Sequence, residues 1–453
     1  METTVLQDPP YTSRLVLLQE LSLYCIMFTI PLFRLGTEIT GSASLTPAKI
    51  FIGLTFLIWI THILIERDSG ALIFLLKEKA TLFMLAFLII TFMSLMFTRY
   101  VETETISELS LRVKTFMLYF LIIAIVNRRR TLKIAIAALL LGSLLTTGVG
   151  LYEAATGDSF FTENYRYEFR NTLRGAETTG LMKTTYSGAA RVQGLYSDAG
   201  YYAHALIVFI GLALPWAVYG RNRNLRILVA VLLMAYIVNL IGTGARTGWV
   251  ALGCSMAVFL LFMKHRHKYS IWAMSVITVI GIFLAAALIP HLPTFERLTL
   301  KGSLSWSWRL DTNLQGLEMI RDHPVLGIGT GNYMIEYFNY LENFPRLSRV
   351  MMGWLHNSYL QIWIENGTVG LIVFLAFLGT VAMSLARAYY YPADGEMKIL
   401  ALGFMTTLTG YAVEFSGVPV IGQEIGWLLF GFCVAFIGIN RRERRALSMY
   451  PID

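Results

Sequence analysis

Residues 303–332 read SLSWSWRLDTNLQGLEMIRDHPVLGIGTGN, and residues 354–370 read WLHNSYLQIWIENGTVG. Joined by a polar connector, they form the largest polar island in a strongly apolar chain. On either side lie runs, at 270–290 and 367–386, of about the 20 apolar residues that a helix needs to cross a bilayer. A polar segment held between two spans is a surface loop of a membrane protein. This one carries Arg309 and His356, so the chemistry is expected there.

The rest of the chain fits that class. Of its 453 residues 56% are hydrophobic and only 15% are charged, a balance that ordinary soluble domains do not show. Candidate spans fall near 15–33, 48–65, 80–97, 113–126, 132–152, 200–219, 225–242, 247–263, 270–290, 367–386, 397–414 and 422–439. Most are apolar on every face, as spans are, and unlike amphipathic surface helices. The expected fold is an all-α polytopic membrane protein of about 12 transmembrane helices. It divides into helices one to five (1–152), a first extracytoplasmic segment (153–200), helices six to nine (201–290), a second extracytoplasmic segment with the chemistry (291–366), and helices ten to twelve with a basic tail (367–453).

Lysine and arginine set the orientation. With a cytoplasmic N-terminus, twenty of them fall in the inner segments, against six in or beside the short outer loops. Both termini are then cytoplasmic. The formal net charge of +8 follows from this topology and is no sign of a nucleic-acid partner. The run from Leu15 to Phe33 has no basic region before it and no small-residue cleavage site after it, so it is read as the first span. Cys25, Cys254 and Cys433 lie far apart in apolar helices and suggest packing, with neither disulfides nor a metal site.

Ionisable residues inside spans are costly and invite a functional reading. For Glu20 and His62 a single hydrogen bond to a neighbouring helix is the simpler one. In the first outer segment, alternating aromatic and charged residues around Tyr165–Arg170 suit an extended stretch at the headgroup level, and Arg191 lies shortly before a helix that begins near Tyr201. The turn from Gly242 to Gly248, GTGARTG, presents Arg246 at the membrane surface among glycines that allow close backbone approach. In the second outer segment Leu310, Leu314, Leu317 and Ile320 recur at helical spacing. They predict an amphipathic helix that ends near His323-Pro324, with Arg309 in its first turn and Asn313 on the same face, away from the leucines. Residues 327–332, GIGTGN, have neither the spacing nor the flanking strand and helix of a nucleotide loop. His356, beside Asn357, is the side chain best suited to accept a proton near neutral pH.

Taken together, RVQGLY from Arg191, the arginine turn GTGARTG, the segment SWSWRLDTNLQGLEMIRDHPVLGIGTGNY and the segment HNSYLQIWIENGTVGL resemble the O-antigen ligase/polymerase family of bacterial envelope glycosyltransferases. The resemblance is close from Arg191 to Phe374 and rests elsewhere on helix number and topology. It implies a multi-pass protein of the bacterial inner membrane, with its active site on the periplasmic face. The activity implied is metal-independent, inverting transfer of a glycan from a polyprenyl pyrophosphate donor to lipid A-core or a glycan acceptor, without a cofactor, in contact with membrane lipid. Arg246 and Arg309 match the family's pyrophosphate-facing arginines, and His356 matches its histidine beside the acceptor. Arg191, Asn313 and Asn357 are the expected substrate-binding residues. Many relatives follow the RVxG motif with Pro-Asn; here Ser197-Asp198-Ala199-Gly200 stands. Ligase comes first, polymerase second, and a lipid-linked oligosaccharide transporter a distant third, because the two halves of the chain differ and the arginines sit at one face.

Overall fold

The structure is a computed structural model and describes residues 14–35, 46–66, 77–96, 98, 101, 103–157, 160, 191–263, 304–344, 355–419 and 421–449. Of the described residues 84% are helical and none lies in a strand. In chain order the long helices are α1 Arg14–Thr29, α2 Pro47–Glu66, α3 Lys79–Met96, α4 Thr103–Ile125, α5 Arg129–Thr156, α6 Ala199–Tyr219, α7 Arg223–Gly242 and α8 Arg246–Phe262. They continue with α9 Leu304–Asp322, the short α10 Tyr333–Tyr337, α11 Ser358–Tyr390, α12 Gly395–Glu414 and α13 Glu424–Met449. Among the described residues eight helices are long and apolar enough to cross a membrane, and Arg246–Phe262 is a shorter apolar one. Every expected span falls on a helix, apart from 270–290, which lies outside the described residues; the fourth helix begins at Thr103 and not at 113, and the last runs on to Met449 and not to 439.

Two further boundaries differ from the sequence reading. The fifth helix runs on to Thr156, so Glu153 belongs to it and not to the outer segment. The tenth expected span, placed from Gly367, is the longer part of α11, which starts at Ser358 and is broken at Gly367 (φ 67°, ψ −175°).

Within the bundle α12 packs against α8 and α6, α11 against α3, α13 against α4, and α1 against α2 and α5. Lipid offers no hydrophobic drive to bring apolar helices together, so close contact depends on small residues at the crossings. At the α6–α12 crossing a Cβ on Gly211 would lie 2.2 Å from Thr407 Oγ1 and 2.8 Å from its Cα. On α5 a Cβ on Gly142 would lie 2.1 Å from the Phe28 carbonyl oxygen. Among the larger core residues, Phe116 meets Trp427 edge-on at 4.5 Å, and Phe374 stacks on Phe415 at 5.6 Å.

The end of the bundle that the basic residues assign to the cytoplasm is tied by ion pairs. Arg129 reaches Asp394 at 2.7 Å and Glu396 at 3.1 Å and also pairs with Glu443, while Lys133 pairs with Glu396. Arg441 pairs with Glu78 at 2.5 Å. Such half-exposed pairs are individually weak. As a network they join α5, α12, α13 and the start of α3. Glu20 accepts a hydrogen bond from Thr131 at 2.7 Å, and His62 meets Glu66 at 2.9 Å, so both spans' ionisable groups have local partners.

The crossing geometry makes a prediction. Gly211→Val should lower thermal stability by about 1–3 kcal/mol, the usual cost of overpacking. Gly53→Ala, where nothing lies within 4 Å of the added carbon, should leave it unchanged or raised. Thermal unfolding of the detergent-purified variants checks both, and equal effects would show that the α6–α12 crossing is not a tight one.

Candidate functional site

The break in α11 builds the site. Residues 358–366 form a short helix that leads into the long one, and the glycine-rich loop 327–332 wraps the break. Ile328 N–H donates to the Ile364 carbonyl at 2.9 Å and Gly329 N–H to that of Glu365 at 3.1 Å. From the other side Thr368 N–H donates to Pro324 O at 2.9 Å and Val369 N–H to Val325 O at 3.3 Å. These bonds satisfy backbone groups that the interrupted helix would otherwise leave unpaired, as membrane depth requires. A Cβ on Gly367 would sit 2.0 Å from Val325 O, and one on Gly327 2.4 Å from Ile364 O. The GIGTGN loop therefore has a packing task.

Asn332, at the end of the loop, accepts from Thr105 Oγ1 at 2.6 Å and donates to the Ile328 carbonyl at 3.0 Å and to Thr98 Oγ1. Asn366 donates to Thr330 Oγ1 at 2.9 Å and to Ser94 Oγ at 3.3 Å. Below the loop, Arg112 of α4 is ion-paired with Glu365.

The amphipathic helix α9 spans Leu304 to Asp322 and stops where the sequence predicts. It starts earlier, however, which puts Arg309 in the second turn. Its packing face also differs. Leu310, Leu314 and Leu317 are exposed, whereas Thr312, Gln315, Gly316, Met319 and Ile320 are buried. A small residue decides this face, because a Cβ at Gly316 would meet Ile364 Cδ1 at 2.5 Å. Through that contact α9 and residues 358–366 become one platform. Arg309 and Asn313 are half-buried at its edge.

His356 and Asn357 stand at the start of that platform. Asn357 caps residues 358–366, its side chain accepting from Leu360 N–H at 3.1 Å. Burial, with the Arg309 and Arg191 guanidiniums adding and the Asp198 carboxylate opposing, holds the His356 imidazole down at about 4. One electrostatic neighbourhood thus contains His356, Arg309, Arg191 and Asp198. They come from three separate parts of the chain.

Arg191 also reaches the arginine turn. Its Nε donates to the Thr243 carbonyl at 2.6 Å, and Val192 N–H donates to Gly242 O at 3.1 Å. The turn folds back through Gly244 (φ 59°), and α8 begins with Arg246, which is exposed. The Arg191–Thr243 bond ties the turn that precedes Arg246 to the His356 neighbourhood, while Arg246 itself is not among the charges that act on His356. Asp198, in the SDAG departure, caps α6 by accepting from Gly200 N–H at 2.6 Å.

The sequence reading missed two supports. Glu153 is buried and accepts the N–H groups of Gln193 at 2.7 Å and Gly194 at 2.8 Å, which fixes the RVQG stretch. As an acid near the end of an apolar span it was open to notice. Arg112 is the other: a fourth span beginning at 113 excludes it, whereas α4 begins at Thr103 and contains it. Among the described residues no group of three or more His, Cys, Asp or Glu side chains is placed to hold a metal ion.

A multi-pass helical bundle with two arginines close to a buried histidine defines the class, a polytopic membrane protein. Residues 229–375 match the sequence model of the O-antigen ligase family, and over that stretch the chain is similar to its members. The match takes in Arg246, Arg309, His356 and Gly367, and leaves Arg191, Glu153 and Arg112 outside it. No curated protein matches the sequence. The match supports a role for the chain in glycan transfer in O-antigen and polysaccharide biosynthesis.

Gly367→Ala should destabilise the platform, since the added methyl meets both a left-handed backbone and the Val325 carbonyl. Hydrogen exchange should show faster exchange of the Ile328 and Gly329 amides. Unaltered protection there would mean that the loop does not depend on the break.

Proposed function

We propose that the protein transfers a glycan from polyprenyl pyrophosphate to an acceptor hydroxyl at the outer face of the bacterial inner membrane, and specifically joins O-antigen to lipid A-core. The observation that carries this reading is the convergence of Arg309 and Arg191 on His356, two of these three residues lying in the family-matched stretch.

In the reaction the acceptor oxygen bonds to the anomeric carbon as the bond from that carbon to the pyrophosphate oxygen breaks. Negative charge gathers on the leaving pyrophosphate. Guanidiniums suit it, because each offers paired donors in a fixed plane. Arg309 and Arg246 are assigned to that charge, and Arg191, bonded to Thr243, holds the turn from which Arg246 projects. His356 takes the hydroxyl proton, and a single displacement inverts the anomeric centre.

The depressed basicity of His356 fits this sequence of events. With the site empty the imidazole is neutral at pH 7 but a weak base, since two of the causes are nearby cations. A bound pyrophosphate offsets those cations, so the histidine becomes a stronger base when the donor is in place. Below its pKa the histidine is protonated and cannot accept, so activity is lost as pH falls. The acid limb measured at saturating donor should therefore lie at higher pH than the limb measured at limiting donor. Coincident limbs would remove this coupling.

Arg309→Lys and Arg246→Lys should each lower turnover by about 10²-fold, on the scale of other charge-stabilising groups, while the protein still inserts. His356→Gln keeps a hydrogen-bonding side chain but no base, and should lose roughly 10²–10⁴-fold with donor binding intact. The assay uses purified protein in lipid with a polyprenyl pyrophosphate-linked glycan, with and without lipid A-core. Transfer only when lipid A-core is present marks a ligase; chain growth without it marks a polymerase and replaces the acceptor named here. Addition of EDTA should leave the rate unchanged, because the arginines are assigned the charge; a rate restored only by added metal would overturn that assignment.

A further inference from the structure

Residues 358–366 place His356, yet the left-handed break at Gly367 uncouples them from the rigid part of α11. Their orientation has to be fixed from elsewhere. At the leading end Ser358 N–H donates to the Phe415 carbonyl at 2.8 Å, and its hydroxyl donates to Val418 O at 2.7 Å. At the trailing end stands an ion pair, Arg112 with Glu365, whose side chains are each 1% exposed.

Several contacts make this pair directional. Arg112 Nη2 donates to Glu365 Oε2, and its Nη1 donates to Asn366 Oδ1 at 3.4 Å. The second carboxylate oxygen accepts from Gln361 Nε2 at 3.1 Å, one turn back towards His356. Glu108, one turn before Arg112 on α4, lies within electrostatic range of both partners. A guanidinium fork fixes angle as well as distance, and a buried carboxylate cannot move off its partner without losing its compensation. Residues 358–366 are thereby held against sliding or rotating along α4.

We infer that Arg112 and Glu365 are positioning residues for the transfer reaction, holding residues 358–366 so that His356 meets the acceptor hydroxyl. The inference rests on the reading of His356 as the proton acceptor. Neither residue touches substrate; both act through the short helix. A small displacement at a reacting centre is enough to be seen, since about 1 Å can cost on the order of 10²-fold in rate.

The test uses the full chain in lipid nanodiscs. Glu365→Gln keeps a hydrogen-bonding group but removes the charge, and Arg112→Lys keeps the charge but removes the fork. Both should lower kcat on the order of 10²-fold with KM for the donor little changed, because the donor is held by other arginines. Hydrogen exchange, read independently of activity, should show protection lost in residues 358–366 and kept in the rest of α4 and α11. The reversed pair, Arg112→Glu with Glu365→Arg, should regain much of both.

The inference is overturned if Glu365→Gln keeps full kcat and full protection. It is equally overturned if protection is lost throughout the bundle or if KM alone rises. Should a single variant fail to insert, the reversed pair decides: normal protection with no recovered turnover would contradict the positioning role. If His356→Gln turns over normally while the exchange pattern is as expected, the general-base reading has failed, and the restraint on the short helix has not.

Discussion

Everything at the functional face depends on two backbones passing too closely for side chains. Gly367 and Gly327 leave room for residues 324–329 to bond directly to the carbonyls and amides on either side of the α11 break. A broken helix in an apolar bundle exposes donors and acceptors that no water can satisfy at low cost. Here a loop from the same chain satisfies them. The outcome is a rigid platform in which the helix bearing Arg309 and the segment following His356 are packed through Gly316 and Ile364. Charged groups far apart in sequence are then held together by the platform.

The two faces of the bundle use charge differently. At the face with Arg129 and Arg441, cations are matched by Asp394, Glu396, Glu443 and Glu78, so charge there ties helices together. Around His356 burial comes first, with the Arg309 and Arg191 guanidiniums adding to it, in holding the imidazole's basicity below its usual range. Arg191 takes part twice, as one of the cations near His356 and as the donor that fastens the Thr243 turn.

Much of the fold was legible because bilayer helices are apolar all round, and the spans from Leu15 to the last helix showed that directly. The order of Arg246, Arg309 and His356 was legible through a family resemblance, and the stretch that carries these three lies within the family match over residues 229–375, which leaves Arg191 outside. The packing face of α9 was not. Leucines at helical spacing signalled an amphipathic helix but not which side meets protein, and near a membrane the apolar stripe can face lipid. At Gly367 the polar Glu365-Asn366 pair marked the start of a span, but not that a short helix joins it there, because one glycine does not declare its φ. Arg112 and Glu153 were overlooked for a related reason: each sits where a span meets a loop, and their partners, Glu365 and the amides of Gln193 and Gly194, are distant in sequence.

The central claim is that the arginines gathered around His356 receive a pyrophosphate while the histidine faces the acceptor. A structure of the protein in lipid with a non-hydrolysable polyprenyl pyrophosphate glycan bound tests it most directly. The account predicts the pyrophosphate within hydrogen-bonding distance of Arg309 and Arg246, with the anomeric carbon turned towards the His356 imidazole. A donor seated elsewhere on the bundle, or held with its sugar away from His356, would contradict it.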